Sequence, residues 1–147
     1  MYSRLLSFLL ITALAMFATS CANDETAELD PNMSLYDQIE LLIEQDEYES
    51  ALSVLEEEDR EDPEVQRLLE KTHLNYGLNS MNTFDESEMR SRMNNALVQF
   101  TEVLRINPNN SVAQEQIDQI MGVYATIPDR SPDEDVLEGL REVGMDY

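Results

Sequence analysis

The chain has 147 residues, with nine basic and thirty-one acidic side chains and a formal charge of −22. Its length suits one domain with a real hydrophobic core. Its charge excludes nucleic acid, because phosphate binding needs clustered Lys and Arg, and it excludes attraction to anionic headgroups.

In chain order, Met1–Arg4 is a short basic region and Leu5–Ala18 is an apolar stretch. Ala18-Thr19-Ser20-Cys21 follows, with the chain's single cysteine at its end. Small residues just before a cysteine resemble a bacterial lipobox, in which that cysteine becomes the lipidated N-terminus. Families with this pattern usually carry Leu, Val or Ile where Ala18 stands. The resemblance implies a signal peptide over residues 1–20, lipid attachment such as palmitate at Cys21, and a body tethered outside a membrane. An ordinary signal peptide cut nearby and a retained anchor stay open as alternatives. A membrane span needs about 20 apolar residues, and this stretch is shorter. Arg4 before the apolar run and Asn23-Asp24-Glu25 after it orient the body outward in each case. Ala22 is not an acidic retention signal, so the outer membrane is the expected location, on its periplasmic or surface face.

Residues 21–33 have no apolar period and several acids, and they read as a flexible acidic tether. From residue 34 the pattern is helical and points to an all-α fold. Ser34 is a candidate N-cap, and Leu35, Ile39, Leu42 and Ile43 share one face. After a break at Asp46-Glu47, Tyr48, Ala51, Leu52 and Leu55 mark a second helix, which dissolves into the acidic run Glu56–Asp62. Asp62-Pro63 opens a third, with Val65, Leu68, Leu69, Thr72 and Tyr76 as its stripe. Residues 80–88 read as a polar break. A fourth helix turns Met89, Met93, Ala96, Leu97, Phe100, Val103 and Leu104 inward and ends at Ile106-Asn107-Pro108. A fifth carries Val112, Ala113, Ile117, Ile120, Met121 and Tyr124. Ser131-Pro132-Asp133-Glu134 has the form of a capping box. It opens a last helix bearing Val136, Leu137, Leu140 and Val143, stopped at Gly144.

Two stretches repeat. Ala51 is followed four residues later by Leu55 and twelve later by Pro63; Ala96 is followed by Phe100 and Pro108 at the same offsets. With DEYESAL at 46–52 and RINPNN at 105–110, this pattern resembles the second half of a tetratricopeptide repeat (TPR). The resemblance covers residues 34–126 and implies antiparallel helical hairpins, about two repeats plus capping helices. Family repeats run to about 34 residues, whereas Pro63 and Pro108 lie forty-five apart. The surplus around residues 81–91 reads as a lengthened hairpin. His73 stands where the family has a small residue, which implies a wider first-helix contact there; Glu58 replaces a second small residue, so the first repeat is expected to be loosely formed. Residues 127–147 form a tail in which the short last helix covers one end of the array.

No catalytic constellation is legible. The lone histidine, His73, reads as a packed filler, since nothing nearby supplies a nucleophile. The run Glu56–Asp62 lacks the spaced ligands and glycine of a calcium loop, and no zinc set exists. The expectation is therefore a non-enzyme with no cofactor and no metal. What is known of the repeat family implies a protein–protein interaction adaptor of the cell envelope. The alternative is a structural accessory subunit of an envelope complex with no groove of its own. Family ligands lie along the first helices of the hairpins, which here implies Tyr36, Glu40, Ile43, Arg67, Glu70 and Leu74. The acids of that face suit a basic or amphipathic partner segment. Lys71 is the only lysine. A lysine-poor acidic surface resembles proteins of salt-loving organisms, and equally an ordinary surface kept soluble by charge.

Overall fold

The computed structural model describes residues 32–83 and 87–147. The signal-like segment, Cys21 and nearly all of the acidic tether lie outside the described residues. Six helices and no strand make up what is described: α1 (Leu35–Glu44), α2 (Tyr48–Glu56), α3 (Pro63–Asn82), α4 (Met89–Ile106), α5 (Ser111–Thr126) and α6 (Glu134–Glu142). The protein is all-α. None of these helices is long and apolar enough to cross a membrane.

Three helix starts follow from local chemistry. The Ser34 hydroxyl accepts the Asp37 N–H, the Asp62 carboxylate accepts the Glu64 N–H with Pro63 at the first turn, and the Asn110 amide oxygen accepts the Ala113 N–H. Each satisfies a donor that the first turn leaves unpaired. Two helices end in a left-handed residue. At the end of α1, Asp46 takes φ 61°, its N–H reaches the Ile43 carbonyl, and the Glu47 N–H reaches Leu42. At the end of α6, Gly144 takes φ 83°, with its N–H on Arg141 and that of Met145 on Leu140. Both are Schellman closures. Glycine adopts this conformation freely. Asp46 is held in it by its side chain, whose Oδ1 accepts the Tyr48 hydroxyl at 2.7 Å and the Asn79 amide at 3.0 Å.

Consecutive helices pack on one another from α1 to α5, and α1 also packs on α3. Contacts between α3 and α4 run in opposite order along the two helices: His73 meets Gln99, whereas Ser80, further along α3, meets Asn95. The pair is antiparallel. It is also long, with helices of 20 and 18 residues against 10 and 9 in the first pair. The surplus expected near residues 81–91 thus lengthens this hairpin, and α3 runs through the expected break as far as Asn82. Ser80 sits inside that extension, 4% exposed, with its hydroxyl taking the Asn95 amide at 2.8 Å. Helix α5 packs on α4, as a half-hairpin would.

Two cores result. The first gathers Ile39, Leu42, Ala51, Leu55, Val65, Leu68 and Leu69; the second is built on Ala96, Phe100, Val103, Ala113, Ile117 and Leu140. Ala51 and Ala96 have no exposed surface. Met89 and Val112, expected inward, are each 42% exposed. Each lies in the first or second position of its helix.

The last helix departs from its expected start. Ser131-Pro132-Asp133-Glu134 does not form a capping box; α6 begins at Glu134, and Asp133 makes no side-chain cap bond. Its carboxylate instead takes Arg90 and Asn94 of α4, each at 2.5 Å. A charge-assisted bond to a guanidinium outcompetes a backbone amide. Arg105 reaches Glu142 at 2.8 Å, so α6 runs parallel to α4 and covers it with Val136 and Leu140.

Candidate functional site

The face implied by the family resemblance is built by α1 and α3. Glu40 and Lys71 form an ion pair across them. Both helices run in the same direction, because α2 reverses the chain between them. By the offset of 31 that joins Glu40 to Lys71, Tyr36 and Arg67 hold matching positions on the two helices, as do Ile43 and Leu74.

The six expected residues are not equally available. Tyr36 is 49% exposed, and Arg67 is exposed with no ion pair among the described residues. Glu40 is neutralised by Lys71. Glu70 accepts from Asn107 and Asn110, both at 2.8 Å, and so ties α3 to the turn between α4 and α5. Ile43 packs against the first core and Leu74 against the second. Internal packing thus takes Glu70, Ile43 and Leu74, and leaves Tyr36 and Arg67 exposed. The C-terminal helix lies on α4 and does not cover this face. Beside it, Tyr48 and Tyr76 stack with ring centroids 5.1 Å apart, and Tyr76 donates to Glu49. Burial, with help from Asp46, pushes the Tyr48 hydroxyl up to about 12.

A polar ladder runs through the α3–α4 interface. His73 Nδ1 meets Gln99 Oε1 at 2.7 Å, the Gln99 amide donates to Asn95, and the Asn95 amide donates to Ser80. With Gln99 accepting, the imidazole carries its proton on Nδ1. No buried side-chain nitrogen or oxygen among the described residues lacks a partner. No group of three His, Cys, Asp or Glu able to hold a metal occurs among the described residues. The ladder joins two helices.

Burial holds the His73 imidazole below its ordinary pKa of 6.5, and the Gln99 bond and Glu102 offset this only partly. The unfolded chain then binds the proton more readily than the folded one, so the contribution is intact above about pH 6.5 and is lost as pH falls through the folded value. Urea midpoints measured from pH 8 to pH 5 should show wild type losing stability relative to His73→Gln below that point. A difference that stays flat across the range would remove this account of His73.

Sequence reasoning missed one end of the molecule. A cavity of about 390 Å³ lies between the start of α4 and the end of α5, and one of about 610 Å³ opens between α5 and α6. Tyr124 and Arg130 line both. The signal in the sequence was the largely apolar stretch from Ile120 to Ile127, which a single neighbouring helix cannot cover. No protein-family model matches this chain, and neither curated proteins nor solved structures give a significant match to it.

Proposed function

We propose that the chain is a lipid-anchored helical-repeat adaptor of the bacterial cell envelope, built from TPR-like hairpins, that binds a basic or amphipathic segment of a protein partner. One observation carries the reading. Ala51 and Ala96 occupy equivalent places in two successive hairpins and are both fully buried, as a repeat whose helices approach closely at a small residue requires. The stacking of α1 on α3 supports it, since successive first helices lie side by side in such arrays. The anchor rests on the Ala18–Cys21 pattern. Two or more acyl chains at Cys21 would hold the body durably, at about 0.8 kcal/mol per buried methylene.

The second reading, a permanent accessory subunit with no groove, draws support from Glu70 and Leu74, which are spent on internal packing. One set of experiments separates the two. Tagged full-length protein is recovered from detergent-solubilised membranes at low and high salt, as wild type, Cys21→Ser and Tyr36→Ala. The adaptor reading expects membrane fractionation that Cys21→Ser abolishes. It also expects a partner lost at high salt, and recovery lowered about tenfold by Tyr36→Ala without a change in thermal stability. A partner retained at high salt and indifferent to Tyr36 supports the subunit instead. A processed, membrane-bound Cys21→Ser protein removes the anchor.

A further inference from the structure

Seven large apolar side chains stand exposed in the described residues, and four gather at one end of the array. Met89, Val123 and Ile127, at 42%, 51% and 43% exposure, line the cavity between α4 and α5. Tyr147 lines the neighbouring cavity between α5 and α6. Water over a contiguous apolar patch is unfavourable, and such patches mark contact surfaces. The two cavities run along the second half of α5, from Asp118 to Ile127, a length of about 15 Å at 1.5 Å per residue. On the α6 side the C-terminal residue closes part of this stretch, the Tyr147 hydroxyl donating to Asp118. Helix α6 packs chiefly on α4, and a side chain placed at Gly122 would meet no atom within 4 Å. Among the described residues, α4 is the one helix packed extensively on α5.

Charge narrows the occupant. Of the eight cations in the described residues, six hold a carboxylate: Arg60, Lys71, Arg90, Arg92, Arg105 and Arg141. Arg130 holds none among the described residues and stands where the two cavities meet. Arg90 forms part of the same rim and stays 56% exposed while paired with Asp133. In so acidic a chain, a cation left over at an apolar cleft marks a place for an incoming negative group. A second copy fits poorly, because it brings the same −22 formal charge with it.

We propose that this end of the array docks an amphipathic α-helix of a partner protein. The apolar stripe of that helix lies along α5, and a carboxylate on its edge meets Arg130. This site is separate from the face of α1 and α3 and does not depend on the lipid anchor. Methionines at 89, 93 and 121 suit it, since their flexible side chains adapt to a range of apolar surfaces.

The test uses the full chain and a fluorescent helical peptide of about 18 residues, five turns long. The peptide carries leucines on one face and glutamates at its edges, and a second version replaces the glutamates by glutamine. Binding is read by anisotropy at about 0.15 M salt, where long-range repulsion is screened. The glutamate peptide should bind wild type about 5-fold more tightly than the glutamine peptide, which is the scale of one rim ion pair. Arg130→Gln should erase that preference, and Val123→Asp should weaken both peptides about tenfold, with both variants retaining wild-type helicity. Several results overturn the proposal. One is equal affinity for the two peptides, or no binding up to about 0.5 mM. Another is self-association that Val123→Asp dissolves, which gives the cleft to a second copy. The last is binding seen only after residues 84–86 are replaced by Gly-Ser-Gly, which gives it to the chain itself.

Discussion

Phe100→Ala is expected to lower the unfolding free energy by about 3–5 kcal/mol, the usual range for deleting a buried aromatic ring. Phe100 has no exposed surface and stands at the centre of the second core. Its ring lies against Gly77 of α3, where an added methyl would come within 2.6 Å of Cε1 and 2.9 Å of Cδ1. This explains a glycine in the middle of a 20-residue helix. Gly77→Ala gains about 1 kcal/mol of helix propensity but drives a methyl into a ring that cannot retreat, at a cost of about 1–3 kcal/mol. The net result should be destabilising, against the direction expected for an exposed helix. Phe100→Leu removes the obstructing edge. The double variant Gly77→Ala, Phe100→Leu should therefore be more stable than the sum of its parts by at least about 0.5 kcal/mol in urea unfolding. Strict additivity would mean that the two residues do not share the contact.

The second large effect concerns the repeated alanines. Ala96→Leu should cost about 2–3 kcal/mol, because three extra carbons must enter a site with no free surface. Ser53→Leu, at an exposed position of α2, should change stability by less than about 0.5 kcal/mol. Thermal denaturation followed by circular dichroism compares them directly. Equal shifts would show that Ala96 does not mark a close helix approach.

These two sites also show what the sequence makes legible. Helix starts at Ser34 and Asp62-Pro63 and the stop at Gly144 are written in neighbouring residues, and the structure follows them. So are the apolar stripes, since period alone places Ile39, Leu42, Leu68 and Phe100 inward. What eludes a linear reading is competition over long range. Ser131 and Glu134 have the right spacing for a capping box, yet α6 starts only at Glu134, and Asp133 turns its carboxylate to Arg90, 43 positions away. Ser80 looks like the start of a loop until Asn95 arrives from α4 to satisfy it. Glu70 and Leu74 fall at the correct spacing for an exposed face, but the turn after α4 and the second core claim them. The cleft at the end of α5 was hidden for the same reason. Met89 reads as inward, and Val123 and Ile127 fall outside the stripe, because period alone does not say which faces lack a covering helix.

Both cores hang on one helix. Val65, Leu68 and Leu69 of α3 belong to the first, while Leu74, Leu78 and Met81 pack on the second. The N-terminal segment enters through α1, so tension applied there is carried first by the short pair α1 and α2, which a small core fastens to α3. The longer α3–α4 pair lies behind it, in series. A pull on the N-terminus should peel the first pair and release about 90 Å of extended chain over residues 35–62 before the second core bears load. On such a pull the short hairpin should yield and lengthen while the rest of the molecule keeps its shape.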